Sequence, residues 1–181
     1  MPFPAKTTPD AILEIAHEML DENDSDTFSM RALAERLGIK APSLYRHYAD
    51  RAALETALVA RGSTQLRDRL EAMGASAPEA ALLDAATAYV EFARDNPALY
   101  ELMMRPQASS GAPKELWNTV LRLTSAVSGR DDDTPAAVAL WSFLHGYVSL
   151  QRGGAFGTSG PRGAFEKGIQ ALITGFKPPS T

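Results

Sequence analysis

Apolar residues recur along this chain at the three-to-four spacing of an amphipathic helix. Nowhere do they alternate with polar residues for long enough to make a strand. Proline and glycine stand at intervals that cut the chain into helix-length pieces. The fold class expected is all-α, with about nine helices. The first runs about 9–20, with Thr8 as cap, Pro9 in its first turn, and Ile12, Ile15, Ala16, Met19 and Leu20 on one face. Ser29 caps a second over 30–37, which turns Leu33, Ala34 and Leu37 inward and ends at Gly38. A short third helix is expected over 41–48, and Asp50 caps a long fourth that reaches about residue 73. Five more follow, over about 78–95, 97–104, 113–128, 134–150 and 162–176. Ser76, Pro78 and Glu79 form a capping-box pattern. The stretch 74–77 is the expected break between domains. This divides the chain into an N-terminal domain at 1–50, a connecting helix at 51–74 and a helical domain at 75–181.

The pair of short helices around Gly38 carries the functional argument. Ala34 allows close helix crossing and Gly38 makes the turn, while Leu33, Leu37, Ile39 and Leu44 pin the crossing. The second helix of the pair keeps polar side chains outside the core, and a short helix of this kind fits a DNA major groove. Net charge is −4 overall, yet between Thr27 and Arg51 there are five cations (Arg31, Arg36, Lys40, Arg46, Arg51) against Glu35 and Asp50. That local excess of positive charge is a nucleic-acid footprint on an acidic chain.

Three runs in this region resemble the DNA-binding domain of the TetR family of repressors. They are Arg31-Ala32-Leu33-Ala34-Glu35-Arg36-Leu37-Gly38-Ile39, then Pro42-Ser43-Leu44-Tyr45-Arg46-His47-Tyr48, then Asp50-Arg51-Ala52-Ala53-Leu54. The resemblance covers about 9–58. It implies that Ser29 and Arg31 touch phosphates at the start of the second helix. It implies the same for Tyr45 and His47, which anchor the recognition helix, and for Arg51 at the start of the fourth. Lys40, Ala41, Pro42, Ser43 and Arg46 are implied at the base edges. Lys40 and Arg46 suit guanine acceptors, and Ala41 and Pro42 suit thymine methyls. Lys6 is a candidate backbone-contacting arm. The Ala41-Pro42 start offers few hydrogen-bonding groups, so DNA shape is expected to carry part of the specificity. Leu44 and Tyr48 belong to the core by spacing.

The stretch 136–150 is apolar almost all round, so it is expected to be buried on more than one side. One side meets its own domain. The other needs a partner, most simply a second subunit, with the helix at 162–176 (Phe165, Ile169, Leu172, Ile173, Phe176) as companion. A homodimer through helices at 135–151 and 162–176 is therefore expected. The run Trp141-Ser142-Phe143-Leu144-His145-Gly146 resembles the C-terminal subclass of TetR-type regulators named for its Trp, His and Gly. A ligand pocket of that domain would be apolar with few polar groups. Its candidate lining is Tyr89, Phe92, Leu99, Leu102, Met103, Trp117, Leu121, Trp141 and His145, positions that also suit plain core. The effector expected is small and largely hydrophobic. Its binding is expected to move the segment 96–104 and, through it, the fourth helix.

Other classes find little support. There are no cysteines, so disulfides, thiolate metal sites and cysteine nucleophiles are excluded. His17, His47 and His145 are too scattered for a metal cluster, and no P-loop or dinucleotide fingerprint is present. No enzyme and no cofactor are expected. No apolar run reaches the roughly 18 residues of a membrane span. The N-terminal residues lack the apolar region of a signal peptide, so a cytoplasmic chain is expected. The competing functional reading is a helix-turn-helix protein with no ligand, or one controlled by a protein partner.

Overall fold

The computed structural model describes residues 8–22, 29–72, 77–105 and 114–178. Lys6, the Ser76 cap and the start of the seventh helix at Pro113 lie outside the described residues. Among the described residues there are nine helices and no strand. They form two compact units, residues 1–64 with 96–110, and residues 65–95 with 111–181.

The first unit begins with α1 (Pro9–Glu22), which buries Ile12, Leu13, Ala16, Met19 and Leu20. In α2 (Met30–Leu37) both ends follow local chemistry. Ser29 sits in extended conformation and its hydroxyl accepts from the Ala32 amide at 3.2 Å. Gly38 closes the helix at φ 68°, its amide turned back to the Glu35 carbonyl. Then come α3 (Ala41–Leu44) and α4 (Arg51–Glu71), whose start is capped by the Asp50 carboxylate accepting from the Ala53 amide at 2.8 Å. Ile12, Leu33, Leu44, Leu54 and Leu58 are at most 1% exposed and form the core of this unit. Each buried side chain contributes about 2 kcal/mol.

The helix α6 (Pro97–Met104) joins this unit and packs on α1. Gly62 of α4 explains its seat. A Cβ there would lie 2.8 Å from the Met103 sulfur and 3.0 Å from Leu99 Cδ2, so any other residue would have to push these two side chains aside. Arg61 donates to the Asp10 carbonyl at 3.2 Å and Tyr48 to the Pro9 carbonyl at 3.4 Å, so α4 and the turn after α3 both tie back to the start of α1.

The second unit holds the end of α4 with α5 (Pro78–Asp95), α7 (Lys114–Ser128), α8 (Thr134–Arg152) and α9 (Ala164–Phe176). Leu82, Ala85, Ala86, Tyr89, Phe92 and Ala93 form one buried stripe of α5. Asp133 caps α8, accepting from the Ala136 amide at 3.1 Å. α8 and α9 are locked by rings. Phe143 lies over Gly168, where an added Cβ would be 2.3 Å from it. Tyr147 stands 5.0 Å from Phe165 and 5.4 Å from Phe156, centroid to centroid. Phe165, Ile169 and Ile173 of α9 are spent on the core of their own unit, so this part of the apolar face expected at a subunit interface is already covered.

Candidate nucleic-acid interface and effector cavity

The structure brings the ten sequence-predicted DNA residues onto the two short helices, the turn that follows them and the start of α4. Ser29 is exposed at the start of α2, and its cap bond leaves the hydroxyl proton free to donate outward. Arg31 is exposed and its Nε donates to Glu35 at 3.1 Å. Lys40 stands at the start of α3, exposed and making no side-chain cap. Pro42 is exposed, while Ala41 and Ser43 are half-buried. Leu44 is fully buried and holds the turn on the core.

The helix proper is shorter than the eight residues expected and ends at Leu44. The reason is a change of hydrogen bonding. The His47 amide donates to the Leu44 carbonyl three residues back, at 2.9 Å, which tightens the chain into a turn. That turn presents Tyr45, Arg46 and His47 as three successive exposed side chains, with Tyr45 49% exposed. Tyr48 is half-buried; burial, and next the nearby Asp10 charge, hold its hydroxyl in the neutral form to higher pH than usual. Arg51 is half-buried, with its Nε on Glu55 at 2.7 Å. Arg36, counted among the local cations, is engaged elsewhere. Its guanidinium forks onto Glu22 of α1, one arm at 2.7 Å, and stands 3.8 Å from Glu18. It is held protonated by that hydrogen bond and serves to join α2 to α1.

The nine predicted effector residues belong to both units. Leu99 and Leu102 are buried in the first unit and Met103 packs at Gly62. Phe92 is fully buried beneath Arg69, whose guanidinium carbon lies 5.4 Å from the ring centroid. Leu121 and His145 are half-buried. Tyr89 and Trp141 do meet, in an apolar cavity of about 20 Å³ within the second unit. Trp117 is not part of the lining and stands edge-on to Trp141 at 6.4 Å. The remaining wall comes from residues that sequence reasoning missed. They are Leu70 of α4, then Leu82, Ala85 and Ala86 of α5, with Val120 and Leu123 of α7 and Leu140 and Leu144 of α8. On α5 the signal was the spacing 82, 85, 86, 89, a single helical face. Trp141 is also 42% exposed, Val138 44% and Leu150 51%, so α8 carries apolar side chains on its outer surface. Among the described residues no group of three or more His, Asp or Glu is placed to hold a metal ion, and no helix is long and apolar enough to cross a membrane.

Residues 12–58 match the family described as bacterial regulatory proteins, tetR family, and residues 82–172 match the tetracyclin repressor-like C-terminal domain. An uncharacterised HTH-type transcriptional regulator of Mycobacterium tuberculosis is 30% identical, over 96% of this chain and 84% of its own length. The HTH-type transcriptional regulator YobS of Bacillus subtilis is 29% identical, over 77% of this chain and 76% of its own. Among solved structures, a protein of unknown function from Rhodococcus sp. RHA1 has a TM-score of 0.78 at 24% identity, over 97% of this chain and 96% of its own. A TetR variant from Acinetobacter baumannii, in complex with minocycline, has a TM-score of 0.70 at 22% identity, over 92% of this chain and 94% of its own. The chain belongs to the TetR family, as a DNA-binding transcriptional regulator with an N-terminal helix-turn-helix domain and a TetR-type C-terminal domain.

Proposed function

We propose that this regulator is a cytoplasmic repressor that binds a palindromic operator as a homodimer and is released by a small, uncharged, largely hydrophobic effector. Residues 1–50 then bind DNA, 51–74 connect, and 75–181 serve ligand binding and dimerisation, with α6 packed against the DNA-binding core. It acts by binding and not by catalysis. The exposed run Tyr45-Arg46-His47, carried on the buried Leu44, is the observation that most supports the DNA side of this reading. Ser29, Arg31, Tyr45, His47 and Arg51 are assigned to phosphates, and Lys40, Ala41, Pro42, Ser43 and Arg46 to base edges. The exposed apolar side chains of α8, Val138 and Trp141 foremost, support a second copy of the chain as partner. Trp141, His145 and Gly146 support membership of the Trp-His-Gly subclass. The wholly apolar lining around Tyr89 and Trp141 supports an effector without charge, and the minocycline complex of the Acinetobacter relative supports a small molecule as the kind of ligand.

Selection of bound duplexes from a random DNA pool tests the reading. A palindromic consensus is expected. Tyr45→Ala and His47→Ala are expected to weaken binding about equally across sequences, whereas Arg46→Ala alters sequence preference. Binding without sequence preference in a folded dimer would overturn the assignment. The small volume of the cavity favours one other reading, a regulator controlled by a protein partner. Under that reading no apolar ligand loosens the selected complex.

A further inference from the structure

Apart from the apolar cavity, the second unit carries a larger hollow of about 460 Å³, within the range of roughly 300–1,000 Å³ that small-molecule sites occupy. It lies between the turn from α7 to α8, the start of α8 and the end of α9, and shares no lining residue with the apolar cavity. Its walls are mixed. Pro135, Phe176 and Pro178 supply carbon, while Arg130, Asp133 and Lys177 supply charge. Asp133 is the unusual member. It is 6% exposed, and its Oδ1 accepts from the Ala136 amide at 3.1 Å. A carboxylate has room for about four donors. Among the described residues no cation stands within ion-pair distance of Asp133, and no second donor meets its side chain. Buried charges are ordinarily paired and fully hydrogen-bonded, because an uncompensated one is costly to take out of water. Arg130 is in the converse position. It is exposed, it lines the same hollow, and among the described residues no carboxylate pairs with it. Lys177 is already taken, with its Nζ 2.7 Å from Glu79.

The hollow thus offers one unmatched negative charge, buried, and one unmatched positive charge, exposed. A simple amine would answer Asp133 and be repelled by Arg130. A simple carboxylate would answer Arg130 and be repelled by Asp133. A molecule that carries both charges, and some carbon for the remaining wall, satisfies all three. We propose that this hollow binds a free α-amino acid with an apolar side chain. The ammonium donates to Asp133, the carboxylate accepts from Arg130, and the side chain lies against Pro135, Phe176 and Pro178. The bond to Asp133 is charge-assisted and removed from water, so it carries most of the affinity. The pair with Arg130 is exposed and contributes less. This is a second ligand site, additional to the effector cavity, and it does not depend on what that cavity holds.

The test is titration calorimetry on the full chain without DNA, with L-leucine as probe. Saturable binding at one site per chain is expected. N-acetyl-L-leucine has lost the ammonium, and is expected to bind at least about tenfold more weakly, the loss of one hydrogen bond between charged groups. L-leucinamide has lost the carboxylate, and is expected to bind about fivefold more weakly, the loss of one exposed pair. Two variants then assign each charge to its residue by a double-difference cycle. Asp133→Asn keeps an oxygen to cap α8. It is expected to bring the preference for L-leucine over N-acetyl-L-leucine to within about twofold. Arg130→Gln, at an exposed position, is expected to bring the preference for L-leucine over L-leucinamide to within about twofold. A substitution that merely disturbed the fold would weaken all probes alike and leave both preferences standing. Should Asp133→Asn fail to fold, the Arg130→Gln cycle decides alone. L-leucine that gives no saturable heat overturns the proposal, as does a folded Arg130→Gln whose preference over L-leucinamide is unchanged.

Discussion

Gly38 and Ser29 bracket α2, and each makes a separable demand. A Cβ on Gly38 would meet nothing within 4 Å, so the cost of any other residue there is conformational alone. At φ 68° that cost is about 1–2 kcal/mol. Gly38→Ala is expected to lower the unfolding free energy by about 1 kcal/mol in urea titration, and Gly38→Asn by less, because asparagine tolerates the left-handed region. Ser29 has two duties, the cap to Ala32 and the proposed phosphate contact. Ser29→Ala loses both, with about 1 kcal/mol of stability. Ser29→Asp keeps the cap but sets a negative charge where the phosphate would lie. It is expected to melt like the unaltered protein and bind operator about fivefold more weakly, by the cost of one like-charge contact at a helix start of about 1 kcal/mol. Unchanged DNA affinity in Ser29→Asp would release Ser29 from the interface.

At the scale of elements, ion pairs tie helix to helix. Lys177, just past α9, stands 2.7 Å from Glu79 in the first turn of α5. Its ammonium, then the backbone amide at Glu79, hold the Glu79 carboxyl below the usual range. A carboxyl whose folded pKa is depressed contributes stability above its ordinary value and loses it as pH falls through the depressed one. Lys177→Met is therefore expected to narrow the difference in urea midpoint between pH 7 and strongly acidic solution. An identical difference in both proteins would show that the pair contributes nothing. What was legible in the sequence follows the same division between local and distant partners. The caps Ser29, Gly38 and Asp50 were readable because their partners lie within four residues. The length of α3 was not, since its end depends on the switch of the His47 amide to Leu44. Periodicity identified Leu99 and Leu102 as facing inward, but an apolar face against α1 and one against a ligand look alike in sequence. The clue to their true neighbour was Gly62, an isolated glycine inside a long helix. Of the cavity, Tyr89 and Trp141 were readable as large residues, whereas Leu70 belongs to a helix whose role read as connection alone.

For the molecule as a whole, charge is arranged in pairs as much as in patches. An acidic chain of net charge −4 carries two of the cations proposed to meet DNA beside carboxylates, Arg31 against Glu35 and Arg51 against Glu55. Under the proposed phosphate roles, docking at these two positions exchanges anions: a side-chain carboxylate yields the guanidinium to a phosphate, and the protein arrives with its counterion already attached. Fewer ions are then traded with the solution than the number of phosphate contacts implies. The dependence of operator affinity on salt is expected to be correspondingly shallow. Glu35→Gln and Glu55→Gln would each steepen the log–log slope by up to about 0.9, one counterion's worth. If both slopes match that of the unaltered protein, the carboxylates play no such part. With its own anions standing in for those of the medium, the regulator would hold its operator across swings in cellular ionic strength that loosen proteins whose cations stand bare.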